Sequence, residues 1–364
     1  MPRYIDALHR EIDQYNPPSI FSSNPVSTIY FGGGTPSLMS PEFYQITLGK
    51  LRSRFTIEPD AEISFEANPG ALLEAHLSEF LAGGINRLTI GIQSFDDAEL
   101  KTLSRIHSSD EAKKALYNAR RSGFTNIGLD LIFGIPVQSL DSFHHSLQTA
   151  IEIRPEHISM YGLTIEHGTP LDKAVRNHTL TPCDEELERD MYLLGMETLT
   201  NAGYEQYEIS NFSLPGYASR HNQKYWDGSP YLGYGPSAHS YDGNERWWNI
   251  ADVDEYISRI NKNMPAQKEL ESITHQQKLG ELIMLGLRRS SGILLAQWQQ
   301  YSNQDLIQQA QEVIRELGGT DDRTRPFHHS SSDQKLVLTP HSLALSRQGL
   351  LVYDTICEHF FKII

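Results

Sequence analysis

The feature that most restricts the fold is the alternation of short apolar strands with amphipathic helices over the first half of the sequence. Five runs are rich in β-branched and aromatic residues and are bounded by turn residues, which is typical of strands. These runs are Val26 to Phe31, Ala61 to Phe65, Arg87 to Ile92, Ile127 to Phe133 and His157 to Leu163. Strands that alternate with helices form right-handed β-α-β units around a parallel sheet. The sequence therefore predicts an α/β fold.

Helical periodicity fills the intervals between these strands. Leu72 to Leu81 repeats its apolar residues every three or four positions and ends before two glycines, as helices commonly do. Similar patterns cover Glu111 to Arg121 and Ser139 to Ile153. A longer helix is predicted from Asp184 to Ala202, and a sixth strand is predicted at about Tyr204 to Ile209.

The composition changes after this sixth strand. Residues 204 to 248 hold eleven of the 35 aromatic residues, interleaved with glycine and proline. A helical pattern begins at about Val253 and is clearest from His275 to Arg288, and Lys335 to Phe361 follows as strand, turn and helix. We therefore predict a first domain over 1–250, which includes the aromatic segment, and a smaller helical, winged-helix-like α+β module over 251–364.

Charge and cysteine content exclude several classes of protein. Lys and Arg number 31 against 46 Asp and Glu, and a net charge of −15 repels a phosphate backbone, so we expect no nucleic-acid partner. No apolar run is long enough for a transmembrane segment and no signal peptide is recognisable, so a cytoplasmic location is expected. With two cysteines, Cys183 and Cys357, the chain can build neither a disulfide framework nor a cysteine metal site of ordinary ligand number.

Polar residues follow each predicted strand, at the sheet edge where parallel α/β folds place their ligands. Gly33, Gly34 and Thr35 follow the first strand, and bare glycine backbone can approach a ligand closely. A tight turn without a ligand explains the glycines equally well, and neither a Walker A nor a dinucleotide-binding motif is present. Glu66 follows the second strand and Asp130 lies in the fourth, where it could hold a ribose diol; helix capping or pairing with lysine is the alternative for each.

Six motifs in order resemble one subfamily of the radical S-adenosylmethionine (SAM) proteins. They are YFGGGTPSL, EISFEANPG, RLTIGIQSF, LSRIH, IGLDLIFGIP and ISMYGLTIE. That subfamily contains the oxygen-independent coproporphyrinogen III oxidases and the HemW-type haem chaperones. The segment RHNQKYW, at 220–226, resembles the H-N-x-x-Y-W motif of the chaperone branch, and the short C-terminal module favours the same branch.

The resemblance implies a partial (β/α)6 TIM-like barrel that is open on one side, with SAM lying across the strand ends. By the matching motifs, Gly33, Gly34 and Thr35 would meet the methionyl part of SAM, with Glu66 nearby. The remaining pocket residues carried over from the family are Gln93, Arg105 and Asp130.

One family motif is missing from the sequence. The C-x3-C-x2-C loop that supplies three thiolates to the family's [4Fe-4S] cluster is absent, and Cys183 and Cys357 lie outside any motif. Residues 2–8 resemble the first helix of the family, so we expect the loop and its strand to belong upstream of Met1; loss of the cluster in this lineage is the alternative. As given, the chain is expected not to ligate the cluster. The exposed edge of the strand at 26–31 would then invite aggregation or a homodimer.

The aromatic segment is a candidate haem surface, because porphyrins stack on aromatic rings and imidazole can ligate haem iron. His221 and His239 lie among its tyrosines and tryptophans. Packing at a domain junction, with the histidines as hydrogen-bonding residues, is the alternative interpretation.

Three functions are compatible with these features of the sequence. The first is a haem chaperone that binds haem or a porphyrin and passes haem to an accepting protein. The second is a coproporphyrinogen III oxidase that decarboxylates propionates through a SAM-derived radical, which requires the missing cysteines. The third is a degenerate interaction protein that keeps the barrel without ligands.

Overall fold

The structure, a computed structural model, describes residues 2–34, 36–72, 74–316 and 335–363. Over these residues the chain forms two compact units. One comprises Ser27–Leu48 and Pro59–Arg220, and the other comprises Met1–Val26, Gly49–Glu58 and His221–Ile364. The predicted domain boundary near residue 250 remains a prediction.

The first unit is a mixed α/β half-barrel built on a curled seven-stranded sheet of order β1-β2-β3-β4-β5-β7-β6. Its strands are β1 (Val26–Phe31), β2 (Ile57–Ala67), β3 (Arg87–Gln93), β4 (Ile127–Phe133), β5 (His157–Gly162), β6 (Glu205–Glu208) and β7 (Asn211–Ser213). Its helices are α3 (Pro41–Arg54), α4 (Glu74–Ala82), α5 (Asp97–Thr102), α6 (Ser109–Arg121), α7 (Leu140–Ile153), α8 (Pro170–Arg176) and α9 (Glu185–Asn201). The predicted α/β half-barrel is confirmed.

The strands pair as the β-α-β pattern predicts, up to the last two. Strands β2 to β5 pair in parallel, whereas β7 pairs antiparallel with β5 and with β6. The sequence indicated one strand after α9, but Glu205 to Ser213 folds as a hairpin in which β7 takes the place next to β5. In the described chain β1 forms one edge of this sheet, and self-association through that edge remains a prediction.

Local sequence explains where the helices begin. Ser108 and Ser139 form capping boxes before α6 and α7, and Asp184 accepts hydrogen bonds from the first amides of α9. The predicted helix at 72–81 begins at Glu74 instead, because Pro69–Ala71 forms a 3-10 turn ahead of it. The apolar faces of these helices cover the outer face of the sheet, so that Leu88, Ile90 and Leu129 are fully buried.

A buried polar layer lies at the amino-terminal ends of the strands. Arg87 donates hydrogen bonds to Asn126 (3.0 Å) and to the carbonyl oxygen of Tyr217 (2.9 Å). His157 shares a hydrogen bond of 2.8 Å with the Tyr207 hydroxyl, and burial lowers its pKa well below the ordinary value. His157 is therefore neutral in the folded protein near neutral pH.

The second unit is built from α-helices and two three-stranded sheets, of order β10-β9-β8 and β11-β13-β12. Its strands are β8 (His239–Tyr241), β9 (Glu245–Asn249), β10 (Gln267–Ser272), β11 (Ile293–Leu294), β12 (Leu336–Leu338) and β13 (Ser342–Leu345). Its helices are α1 (Pro2–Gln14), α2 (Ser19–Ser23), α10 (Arg220–Trp226), α11 (Val253–Asn261), α12 (His275–Arg288), α13 (Leu295–Tyr301), α14 (Leu306–Glu316), α15 (Arg347–Leu350) and α16 (Tyr353–Ile363).

Two apolar clusters stabilise the second unit. In the C-terminal module, Ile283, Leu287, Trp298 and Phe360 are almost completely buried together. A smaller cluster joins α1 to α11. Beside it the buried carboxylate of Glu11 accepts hydrogen bonds from the Gly235 amide (2.8 Å), Asn249 Nδ2 (2.7 Å) and the Tyr256 hydroxyl (2.7 Å).

Candidate functional site

The mouth of the half-barrel, at the carboxyl ends of β1 to β5, brings together several residues that the sequence predicted. The strand register pairs Glu66 of β2 with Thr89 of β3. It pairs Asp130 of β4 with Ser159 of β5. Side chains at alternate positions of a strand share one face. Glu66 and Asp130 therefore both face the interior of the half-barrel, where their charges interact.

Glu66 is held by Tyr30, the first residue of the YFGGGTPSL motif, which was not among the predicted site residues. The Tyr30 hydroxyl on β1 donates a short hydrogen bond to Glu66 Oε1. Burial, and then the nearby carboxylate, raise the pKa of Tyr30, so the phenol remains a neutral donor. A Cβ at Gly32 would lie 2.4 Å from the Tyr30 ring and 3.3 Å from Glu66 Oε2, so this pair fits only beside a glycine.

The next two glycines form an open cradle. Gly33 and Gly34 have φ of +80° and +60°, a region that favours glycine, and among the described residues other than their chain neighbours no heavy atom lies within 4 Å of the position of a Cβ at either. Both residues are exposed. The loop thus leaves room for a ligand beside bare backbone, and the third predicted member, Thr35, lies outside the described residues.

Asp130 is the most perturbed carboxyl group of the mouth. Burial, together with the charge of Glu66, raises its pKa from 3.8 to about 7, although a hydrogen bond with Ser159 and the charges of Arg105 and Arg87 act in the opposite direction. Arg105 is itself partly buried, and burial lowers its pKa. At neutral pH the Asp130 carboxyl group can therefore be held either protonated or ionised by a small change in its surroundings.

Gln93 sits on a strained turn at the end of β3. Its φ of +73° is uncommon for any residue other than glycine, and its side chain is buried. The side-chain Nε2 of Gln93 lies 2.9 Å from the position of a Cβ at Gly91, so the side chain folds back across that glycine. Strain of this kind collects at functional sites.

A second carboxylate network, which sequence patterns did not predict, forms hydrogen bonds next to this turn. Glu99 is 1% exposed and accepts hydrogen bonds from Ser94 Oγ (2.6 Å), Ser142 Oγ (2.6 Å) and Gln138 Nε2 (2.9 Å). These donors come from the β3 end, α7 and the loop after β4. Glu99 lies in α5, a short helix that the sequence analysis did not predict, and no motif included it.

The two candidate haem histidines lie in the second unit, on different elements. His221 on α10 shares a hydrogen bond of 3.1 Å with the Tyr225 hydroxyl, and the Tyr225 ring meets the Tyr231 ring edge-on at 4.9 Å. His239 begins β8 and stacks on Trp248 of β9, with 5.6 Å between ring centroids and 24° between planes. The structure therefore provides two imidazole–aromatic sites rather than one.

Both cysteines favour the protonated thiol form. Burial raises the pKa of Cys183 above its ordinary value and raises the pKa of Cys357 to about 11. Among the described residues, no three His, Cys, Asp or Glu side chains are grouped so that they could hold a metal ion. No helix within the described ranges is long and apolar enough to cross a membrane.

Comparison with known proteins identifies the family of this chain. The Radical SAM superfamily model matches residues 19–150, and the HemN C-terminal domain model matches residues 273–352. The chain is 37% identical to the heme chaperone HemW of Mycobacterium tuberculosis over 271 residues, which are 74% of this chain and 70% of that protein. It is 34% identical to HemW of Bacillus subtilis over 291 residues, which cover 80% of this chain and 76% of the relative.

Two further matches extend over more of the chain. The mitochondrial radical S-adenosyl methionine domain-containing protein 1 of Bos taurus is 34% identical over 344 residues, or 91% of this chain and 74% of that protein. Among solved structures, coproporphyrinogen III oxidase (HemN) from Escherichia coli superposes with a TM-score of 0.80 at 22% identity, covering 100% of this chain and 83% of that one. At this identity the superposition establishes the shared fold.

Proposed function

This chain belongs to the HemW family of radical SAM proteins, and from that premise we propose that it is a haem chaperone, which binds haem and passes it to an accepting protein. The relatives named above as heme chaperones support this proposal, and so does the aromatic segment of the second unit. We place the protein in the cytoplasm, as its sequence led us to expect.

The observation that carries the proposal is the arrangement around α10. His221 is partly accessible and hydrogen-bonded to Tyr225, whose ring meets Tyr231 edge-on, and Tyr231 in turn contacts Tyr241 in a tilted arrangement. A porphyrin can stack on such rings while an imidazole reaches its iron. His239, stacked on Trp248, is the second candidate ligand.

The mouth of the half-barrel fits SAM. The radical SAM family implies SAM and a [4Fe-4S] cluster. The open backbone at Gly33 and Gly34 leaves room for the methionyl part, and the carboxylates of Glu66 and Asp130 suit an ammonium group and a ribose diol. Gln93 and Arg105 would complete the pocket. When bound beside a reduced cluster, SAM supplies a carbon-centred radical.

We propose that Cys183 and Cys357 do not ligate the cluster. Cluster ligands must be thiolates, and both pKa values are shifted so that the protonated thiol is favoured. The relatives at 34% and 37% identity are named as heme chaperones, whereas the likeness to coproporphyrinogen III oxidase, at 22% identity, is one of fold. The chaperone function is therefore the better supported of the two.

Haem titration of the purified chain tests the proposal. We expect saturable binding with a Soret band distinct from that of free haem, and we expect His221→Ala to shift this band and weaken binding by about tenfold or more. His341→Ala, which removes an exposed histidine of the same unit, is the matched control and should change neither.

The His239→Ala variant separates the two candidate ligands. A spectral change in His239→Ala alone would move the haem site to the Trp248 stack. If the parent chain does not bind haem saturably, the chaperone proposal is wrong.

A further inference from the structure

Two adjacent arginines at the end of α12 approach the end of α10. The Arg288 guanidinium lies over the Trp226 indole ring, with its Cζ 4.4 Å from the ring centroid. Arg289 is partly buried, and the charge of Asp227, the residue after Trp226, acts on it. Two cations thus stand next to the last ring of the segment that carries His221.

The guanidinium group of Arg289 donates its hydrogen bonds to neutral acceptors. Its Nη2 donates to the Gly292 carbonyl oxygen at 3.2 Å and to Gln297 Oε1 at 3.4 Å, and burial lowers its pKa. Arg246, in the same unit, is paired with a carboxylate instead. It donates to both carboxylate oxygens of Glu281, at 2.9 and 3.0 Å. An arginine without a carboxylate in its hydrogen-bond set favours an anion locally, against the repulsion that a net charge of −15 exerts over the rest of the chain.

A buried donor nearby also lacks an acceptor. The Trp226 Nε1 atom is buried and has no hydrogen-bond partner within the part of the chain that the structure describes. Burying an unpaired N–H is costly, so such a group commonly marks a place that a ligand or water completes. A carboxylate oxygen would satisfy this N–H and the neighbouring guanidinium together.

We propose that Arg288, Arg289 and Trp226 form a carboxylate-binding site, and that its ligand is a carboxylate side arm of a planar macrocycle whose iron faces His221. This inference rests on the proposed haem binding, because haem carries two propionate groups. The planar fork of arginine pairs two N–H groups with a carboxylate, and this explains two arginines beside an aromatic surface. The site would select acidic porphyrins over uncharged ones.

The test compares haem with haem dimethyl ester, which keeps the ring and the iron but lacks the carboxylate charges. We expect the parent chain to bind haem about tenfold or more tightly than the ester, since a hydrogen bond to a charged group commonly contributes that much. The Arg289→Gln variant should lose this preference while it keeps its affinity for the ester. Arg289→Lys, which retains the charge and is less disruptive, should lose part of the preference.

The control is Arg259→Gln, which removes a solvent-accessible arginine of α11 that pairs with Glu255. It should bind both ligands as the parent does. The inference is overturned if the parent binds haem and its ester equally, or if Arg289→Gln and Arg289→Lys both keep the preference for haem. Failure of the parent to bind either ligand would instead overturn the proposed function, and the carboxylate site with it.

Discussion

Replacing Asp130 by asparagine should stabilise the protein at alkaline pH. The side chain faces the interior of the half-barrel, and burial and the charge of Glu66 raise its pKa from 3.8 to about 7. Each pH unit between the unfolded and folded values corresponds to about 1.4 kcal/mol. The rise from 3.8 to about 7 therefore means that ionised Asp130 destabilises the fold by up to about 4 kcal/mol.

Proton binding determines in which direction the stability changes with pH. A carboxyl group whose pKa is raised on folding contributes its full stability below pH 3.8, and that contribution is lost as the pH rises towards 7. The asparagine side chain of the variant cannot ionise and keeps the neutral interactions at every pH. The Asp130→Asn variant should thus match the parent near pH 4, exceed its stability by about 2 kcal/mol near pH 5.5, and reach the full difference above pH 8.

Urea unfolding followed by far-ultraviolet circular dichroism at these three pH values measures the difference. The control is Asp110→Asn, which changes an exposed aspartate in the first turn of α6 and should alter stability by less than about 1 kcal/mol at each pH. A difference between Asp130→Asn and the parent that stays constant from pH 4 to pH 8 would refute the reasoning, because folding would then not raise the pKa of Asp130.

Three further perturbations have defined outcomes. Val137 is 64% exposed and has a φ of +78°, which is strained for a residue with a Cβ. Val137→Gly should therefore raise the free energy of unfolding by about 1 kcal/mol, and Val137→Ala, which keeps a Cβ, should raise it less. Thermal unfolding of the two variants distinguishes these outcomes. Glu11→Ala leaves three buried donors unsatisfied and should cost about 2–4 kcal/mol, with Glu11→Gln costing less; equal costs would contradict a hydrogen-bonding role. Folding lowers the pKa of His157 from 6.5, so the stability of the protein should fall as the pH drops below 6.5. His157→Gln should reduce the dependence of the melting temperature on pH in this range. An unchanged dependence would show that other groups cause it.

Periodicity and turn residues by themselves determine much of the fold. The predicted runs at 26–31 and 127–133 match β1 and β4 at both ends, and the predicted helix at 275–288 matches α12. These elements are local, because apolar periodicity and capping residues act within a few positions of the chain. The same β-α-β order also placed Glu66 and Asp130 at one edge of the sheet, since parallel strands end together.

Tertiary structure decided what those local signals do not contain. Pairing of β7 with β5, the contact of Tyr30 with Glu66, and the approach of Arg288 to Trp226 each join residues that are far apart in the sequence. A composition or a period cannot show which donor meets which carboxylate, or how deeply a carboxyl group is buried. The raised pKa of Asp130 is the clearest case, because desolvation depends on the whole surrounding barrel and not on the seven residues of β4.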